Sequence, residues 1–161
     1  MGRGEESLRG RAVEAIETWV AAQEDLEVER LDDHSWVVAL AGEKKRTIGL
    51  FLSVGDRTLV AQAHFMRAPD ENVAALYELL LKRHQRSYTL RFSVEDTGDI
   101  LLVGVVPLLA VTAEEIDTLA GAVLTVADET FNAALRLGFE GYIEREQRWR
   151  EHTGQGRNPI S

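Results

Sequence analysis

Cysteine is absent from all 161 residues. Disulfides, thiolate metal sites and cysteine nucleophiles are thereby excluded, and a reducing cytoplasm fits such a composition most simply. No apolar run approaches the ~20 residues needed to span a bilayer, and the N-terminus lacks the apolar core of a signal peptide. "MGRGEES" has the Gly2 of a myristoylation signal but places Glu6 where Ser or Thr is needed. A soluble, unanchored, cytoplasmic protein is expected. Basic charge is also scarce: 18 Lys and Arg stand against 27 Asp and Glu, giving a net charge of −9. Such a surface repels nucleic acid and anionic lipid. Two short basic clusters interrupt it, Lys44-Lys45-Arg46 and Lys82-Arg83-His84-Gln85-Arg86. The first suits a hairpin tip and the second a helix C-terminus, where cations complement the dipole. Neither a nucleic-acid nor a membrane partner is expected.

Motifs that carry chemistry are missing as well. His34, His64, His84 and His152 include no i,i+4 pair and no H-E-x-x-H, so they predict no preassembled zinc site. There is no Walker A or G-x-G-x-x-G arrangement. "FLSVGD" is half of a nucleophile elbow, but Phe51 occupies the first glycine position and the segment leads into a strand, so Ser53 reads as a strand-end residue. Asp96-Thr97-Gly98 is the tripeptide that bears the catalytic aspartate of acid proteases. That chemistry needs two carboxylates sharing a proton. One copy per chain would require a dimer axis, and here Glu95 and Asp99 add solvated charge around it. The spacing instead puts residues 95–99 between two strands, as a hairpin turn. Glu95, Asp96 and Asp99 also lack the alternating ligands and distal bidentate Glu of an EF-hand. No catalytic residue, metal ligand or cofactor site is predicted, and the chain reads as a non-enzyme.

What is present is periodicity. Residues 1–6 form a Gly-rich polar lead. Leu8, Ala12, Ile16, Trp19 and Val20 recur at helical spacing and predict a helix over about 7–23. Strand patterns follow at Leu26–Leu31, Ser35–Leu40, Thr47–Val54 and Thr58–Met66, separated by turn residues such as Ala41-Gly42-Glu43-Lys44 and Gly55-Asp56-Arg57. Pro69 and Asp70 open a second helix of about 71–84. Tyr88, Leu90, Phe92 and Val94 alternate with polar neighbours, and Ile100–Val106 is their partner strand. Thr112 and Glu115 form a capping box for a helix to about Leu137. Residues 142–152 read as helical, with Glu144/Arg148 and Glu146/Arg150 at i,i+4, and 153–161 as a flexible tail. One α+β domain over 7–141 is expected, with a twisted antiparallel sheet, helices packed on it, and the order α-β-β-β(-β)-α-β-β-α.

The helix after Thr112 has an unusually wide apolar face. Its apolar positions over 116–137 span an arc of roughly 220°, against about 100° for a helix with one buried side. Ile116, Val123 and Ala127 lie at the centre and are expected to face the sheet. Leu119 and Val126 at one edge, and Leu124, Phe131 and Leu135 at the other, form the candidate dimer or partner surface. Two covers satisfy this arc: a second chain, or a C-terminal segment bearing Phe139, Tyr142 and Trp149 folded back over it.

The stretch from Arg67 to Phe139 resembles the YbjN-like family of bacterial proteins, its actinobacterial branch in particular. Arg67-Ala68-Pro69 and Asn72 opening a helix that ends in Leu79-Leu80 carry the resemblance. So do the strand Tyr88–Phe92, the Gly98-Asp99 turn, Pro107-Leu108, the "TAEE" helix start and Ala134-Leu135-Arg136-Leu137-Gly138-Phe139. The similarity extends over about 7–140. It implies a fold like that of type III secretion chaperones, in the order α-β-β-β-α-β-β-α, one strand fewer than the periodicity counts. It also implies a role as a sensory transduction regulator and a homodimer that binds segments of other proteins, with no active site to transfer. The expectation is a protein-binding domain, chaperone-like or regulatory; the alternative is a small-ligand-binding sensor.

Overall fold

The computed structural model of the chain describes residues 3–41 and 47–154, with side chains from residue 7 onward. The turn beginning at Ala41, the Lys44-Lys45-Arg46 cluster and the tail beyond Gly154 therefore lie wholly or mostly outside the described residues. Helix α1 spans Arg3–Ala21. It begins four residues before the expected start at 7, so most of the supposed polar lead is helical.

Four strands follow: β1 Glu27–Asp32, β2 Ser35–Leu40, β3 Ile48–Val54 and β4 Thr58–Met66. Helix α2 is Val73–Arg83, β5 Leu90–Val94 and β6 Ile100–Pro107. A 3-10 turn over Leu108–Ala110 leads to α3, Ala113–Gly138, and then α4, Glu140–His152. The strands form a single antiparallel sheet of order β1-β2-β3-β4-β6-β5. The first half thus contributes four strands, not three. Tyr88 lies outside β5 and is 91% exposed, a correction to its expected inward position. Arg91 Nη1 donates to the carbonyls of Ser87 and Leu90, and the ladder to β6 begins at Leu90, opposite Gly104.

Alternation divides the sheet into two faces. Trp36, Val38, Leu50, Leu52, Ala61, Leu102 and Val106 point inward and are buried. Helix α3 packs on that face against β4 and is flanked by α1 and α2. Trp19 Nε1 donates to Asp117 Oδ1 at 3.0 Å and pins α1 to α3. Gly104 on β6 allows the close approach of α3: a Cβ there would stand 3.1 Å from Leu90 Cδ2 and 3.2 Å from Leu119 Cδ1. The arc that looked too wide for one neighbour is therefore covered from three directions, by the sheet, α1 and α2.

The capping box holds in its first half. Thr112 is extended, and its Oγ1 accepts from the Glu115 N–H at 3.0 Å. Thr112→Ala is expected to lower stability by about 1 kcal/mol through loss of this cap. Chemical denaturation checks it; an unchanged midpoint would mean that the cap contributes nothing.

Candidate protein-binding surface

Asp96-Thr97-Gly98 is a hairpin turn. The Gly98 N–H donates to the Glu95 carbonyl at 2.8 Å, and Glu95 N–H to the Asp99 carbonyl at 2.9 Å. Gly98 adopts φ 89°, the left-handed position that closes such a turn. Asp96 is exposed, whereas Asp99 is structural: its Oδ1 accepts from Ala68 N–H at 3.0 Å and its Oδ2 lies 3.2 Å from His64 Nε2. The Ala68 amide and, after it, His64 hold the Asp99 carboxyl below its usual range. Asp96→Asn should change stability by less than about 0.5 kcal/mol, because Asn serves a turn nearly as well. It should also leave no difference in peptide cleavage at acid pH; a cleavage activity lost in this variant would restore the protease reading.

The five residues of the expected surface divide. Leu119 is only 2% exposed and belongs to the core beneath α3, where it also lines the cleft between residues 83–90 and that helix. Leu124 and Val126 are half-buried against the chain's own core. Phe131 and Leu135 are also half-buried, and both line an open groove. Its other walls are Phe65, Met66 and Arg67 at the end of β4 and Phe139, Tyr142, Ile143 and Glu146 at the α3–α4 junction. The groove holds about 410 Å³. Its floor is aromatic: Phe65 meets Phe131 edge-on at 5.8 Å, and the Arg67 guanidinium sits 4.0 Å over the Phe139 ring. Tyr142 is 55% exposed at its rim, and Trp149 further along α4 is 57% exposed. Of the three C-terminal aromatics expected to fold back over α3, only Phe139 is buried.

A clamp from the loop before α2 shapes this groove. Asn72 Nδ2 donates to the Leu137 carbonyl at 2.8 Å and to Glu140 Oε2 at 3.1 Å. The Asp70 and Glu71 amides donate to the Gly138 carbonyl at 2.9 and 3.2 Å, and Glu71 Oε1 accepts from the Gly141 N–H at 2.6 Å. The last carbonyls of α3 thus find donors in another segment, which is the condition for the helix to stop and bend. Phe139, at φ −136° and ψ 32°, is the break. Gly138 is needed here because a Cβ would come 3.0 Å from Pro69 Cβ. Sequence reasoning found these residues as a pattern but missed their mutual contact.

A second cleft, of about 450 Å³, lies between residues 83–90 and α3. Arg83, Arg86, Tyr88, Thr118, Val126 and Thr130 are among its lining residues. Thr130 is 1% exposed; its Oγ1 and the buried Arg83 Nε have no hydrogen-bond partner among the described residues. Next to it, His84 Nε2 accepts from the Phe92 N–H at 2.8 Å, which requires that nitrogen to be unprotonated. Burial, and secondarily the Arg91 charge, push the His84 imidazole below the ordinary histidine range. The unfolded chain therefore binds the proton more readily, so stability falls as pH drops below 6.5, the ordinary value. Melting at pH 7.5 and 5.5 should show this loss in the natural chain and a smaller one in His84→Gln. Equal losses would show that His84 is not responsible.

Among the described residues no group of three or more His, Asp or Glu is placed to hold a metal, and no helix is long and apolar enough to cross a membrane. The α+β fold, a six-stranded antiparallel sheet with packed helices, is type III secretion chaperone-like. The solved heterodimeric complex ExoU-SpcU from the type III secretion system of Pseudomonas aeruginosa is similar at a TM-score of 0.52 and 14% identity, over 71% of this chain and 93% of that one. The ExsC-ExsE complex is similar at 0.52 and 16%, over 81% and 94%. The chain belongs to the YbjN family, described as putative bacterial sensory transduction regulators, whose model matches residues 12–136. An uncharacterized protein of Mycobacterium tuberculosis is 44% identical over 119 residues, 74% of this chain. The chain spans 65% of that relative's length.

Proposed function

We propose that this domain is a non-enzymatic, cytoplasmic protein-binding module, chaperone-like or regulatory, that works as a homodimer. The observation that carries the reading is the open aromatic groove at the α3–α4 bend. It offers Phe131, Leu135, Phe139 and Tyr142 as an apolar floor, with Arg67 and Glu146 as polar edges. A partner segment that buried one or two apolar side chains there would gain most of its affinity from those anchors. The chaperone-like fold and the description of the family as regulators support the same reading. A photo-crosslinking amino acid in place of Tyr142 tests it, since that side chain is exposed and its loss spares the core. Cross-links in native cells to one or a few defined proteins are expected. Labelling no greater than at an exposed control position such as Leu81 would remove the support.

A small-ligand sensor is the second reading. The cleft beside Thr130 and Arg83 favours it, because Thr130 Oγ1 and Arg83 Nε are buried there with no hydrogen-bond partner among the described residues. Mass spectrometry of the gently purified protein separates the readings, since a retained metabolite and a retained polypeptide differ by orders of magnitude in mass.

A further inference from the structure

The helices packed on the sheet lie on the face carrying Trp36, Leu52 and Leu102: α3 contacts β4, α1 contacts β3, and His84 at the end of α2 stacks on Phe92 of β5. Among the described residues no helix has its main contacts with the opposite face. An antiparallel sheet with one solvated face should be polar there. This one is mixed: Ser53, Gln62, His64 and Ser93 are among its outward residues, but it also carries a cluster of Val37, Phe51, Val60, Leu101, Val103 and Val105. The pairing register traces one continuous row of outward residues across all six strands: Glu29, Val37, Phe51, Gln62, Val103, Arg91. Val60 and Val105 pair beside the row, as do Ala39 and Gly49 on its other side. Gln62 and Gly49 near the middle are exposed, and Val105 is 52% exposed.

The row is apolar through most of its centre, acidic at the β1 end and basic at the β5 end. Glu29 makes no ion pair or hydrogen bond through its side chain among the described residues, and Arg91 pairs with no carboxylate. Arg91 Nη1 is held against the Ser87 and Leu90 carbonyls, which fixes the guanidinium at the sheet edge.

We propose that this sheet face is the homodimer interface, with two copies packed face to face about a two-fold axis parallel to the strands. Such an axis reverses the row upon itself. Glu29 of one copy then faces Arg91 of the other, Val37 faces Val103, and Phe51 covers Gln62. An axis perpendicular to the strands would instead place Glu29 on Glu29 and Arg91 on Arg91. Charge complementarity therefore selects the orientation as well as the occupant. Six strands about 4.8 Å apart and about 20 Å long give a footprint of roughly 500 Å² per copy, and its pleated accessible area is larger. That approaches the ~800 Å² per partner of a standard interface, at the ~10 Å spacing of packed sheets.

This inference rests on the homodimer in the proposed function and is independent of the groove. Two variants test it by light scattering and sedimentation. A Cβ at Gly49 meets nothing within 4 Å in the single chain. Gly49→Glu should therefore fold, by circular dichroism, yet be monomeric at concentrations where the natural chain is a dimer. Glu29→Arg should weaken the dimer on the order of tenfold by opposing Arg91, and adding Arg91→Glu should restore it. A natural chain that is monomeric at tens of micromolar overturns the homodimer itself. A dimer that survives both Gly49→Glu and Glu29→Arg overturns this interface alone. A natural chain that dimerises only with a different protein on this face gives the face to another partner and also overturns it.

Discussion

Val123→Asp is expected to leave the domain unfolded. Val123 is 1% exposed on the sheet-facing side of α3, with Ile116 and Ala127 buried on the same side. A carboxylate there would lose its water and find no cation among these apolar neighbours, so it must either ionise at a cost of several kcal/mol or protonate. The loss of valine packing adds about 1–2 kcal/mol. Domains of this size hold only ~5–15 kcal/mol in reserve. Circular dichroism and proteolysis of the purified variant check the outcome. A folded Val123→Asp protein would mean that α3 is not the central helix. Tyr142→Asp is the contrast, because its side chain is already at the surface; it should fold normally.

Asn72→Ala should cost about 2 kcal/mol, an unusual amount for an exposed residue. Two physical losses combine. Asn72 sits at φ 55° and ψ 33°, a left-handed conformation that asparagine tolerates and alanine resists by about 1 kcal/mol. The variant also forfeits the side-chain donor to Leu137 and Glu140, worth about 1 kcal/mol more. Asn72→Gly separates the two, since glycine restores the backbone freedom but not the hydrogen bonds. It should recover about half the loss in urea denaturation. Equal behaviour of the two variants would show that backbone strain contributes nothing at this joint.

Legibility from sequence followed the strength of each local signal. The bounds of β2 and β4 match the strand patterns because short apolar runs were closed by turn residues on both sides. Thr112 was legible because a cap is a local arrangement over three residues. Tyr88 fits the alternation of β5, yet the ladder to β6 begins only at Leu90 and leaves Tyr88 exposed, a limit of pairing that alternation alone does not carry. The width of the α3 arc was visible, but its cover was not. Periodicity shows how much of a helix is buried and gives no account of which elements bury it. Among the candidate surface residues, Phe131 and Leu135 line the groove and Leu119 is buried. The difference depends on Gly104, a residue fifteen positions earlier, which lets Leu119 approach the sheet.

The motif residues that carried the family resemblance turn out to touch one another. Arg67 stacks on Phe139, Pro69 stands against Gly138, and Asn72 binds the Leu137 carbonyl. They belong to separate stretches, and nothing in spacing alone brings them together. Their joint product is the bend between α3 and α4, and the bend forms one wall of the groove. Architecture and the proposed binding surface are linked at this point: the residues that end α3 border the groove that α4 helps to line.

The most direct test of protein binding is native mass spectrometry of the domain isolated gently from its own cells, compared with Tyr142→Asp. The natural chain is expected to carry a further polypeptide beyond copies of itself, and the folded Tyr142→Asp variant should lose it. A natural chain that carries only a small molecule, or a polypeptide retained equally by the variant, would contradict the groove as the binding site.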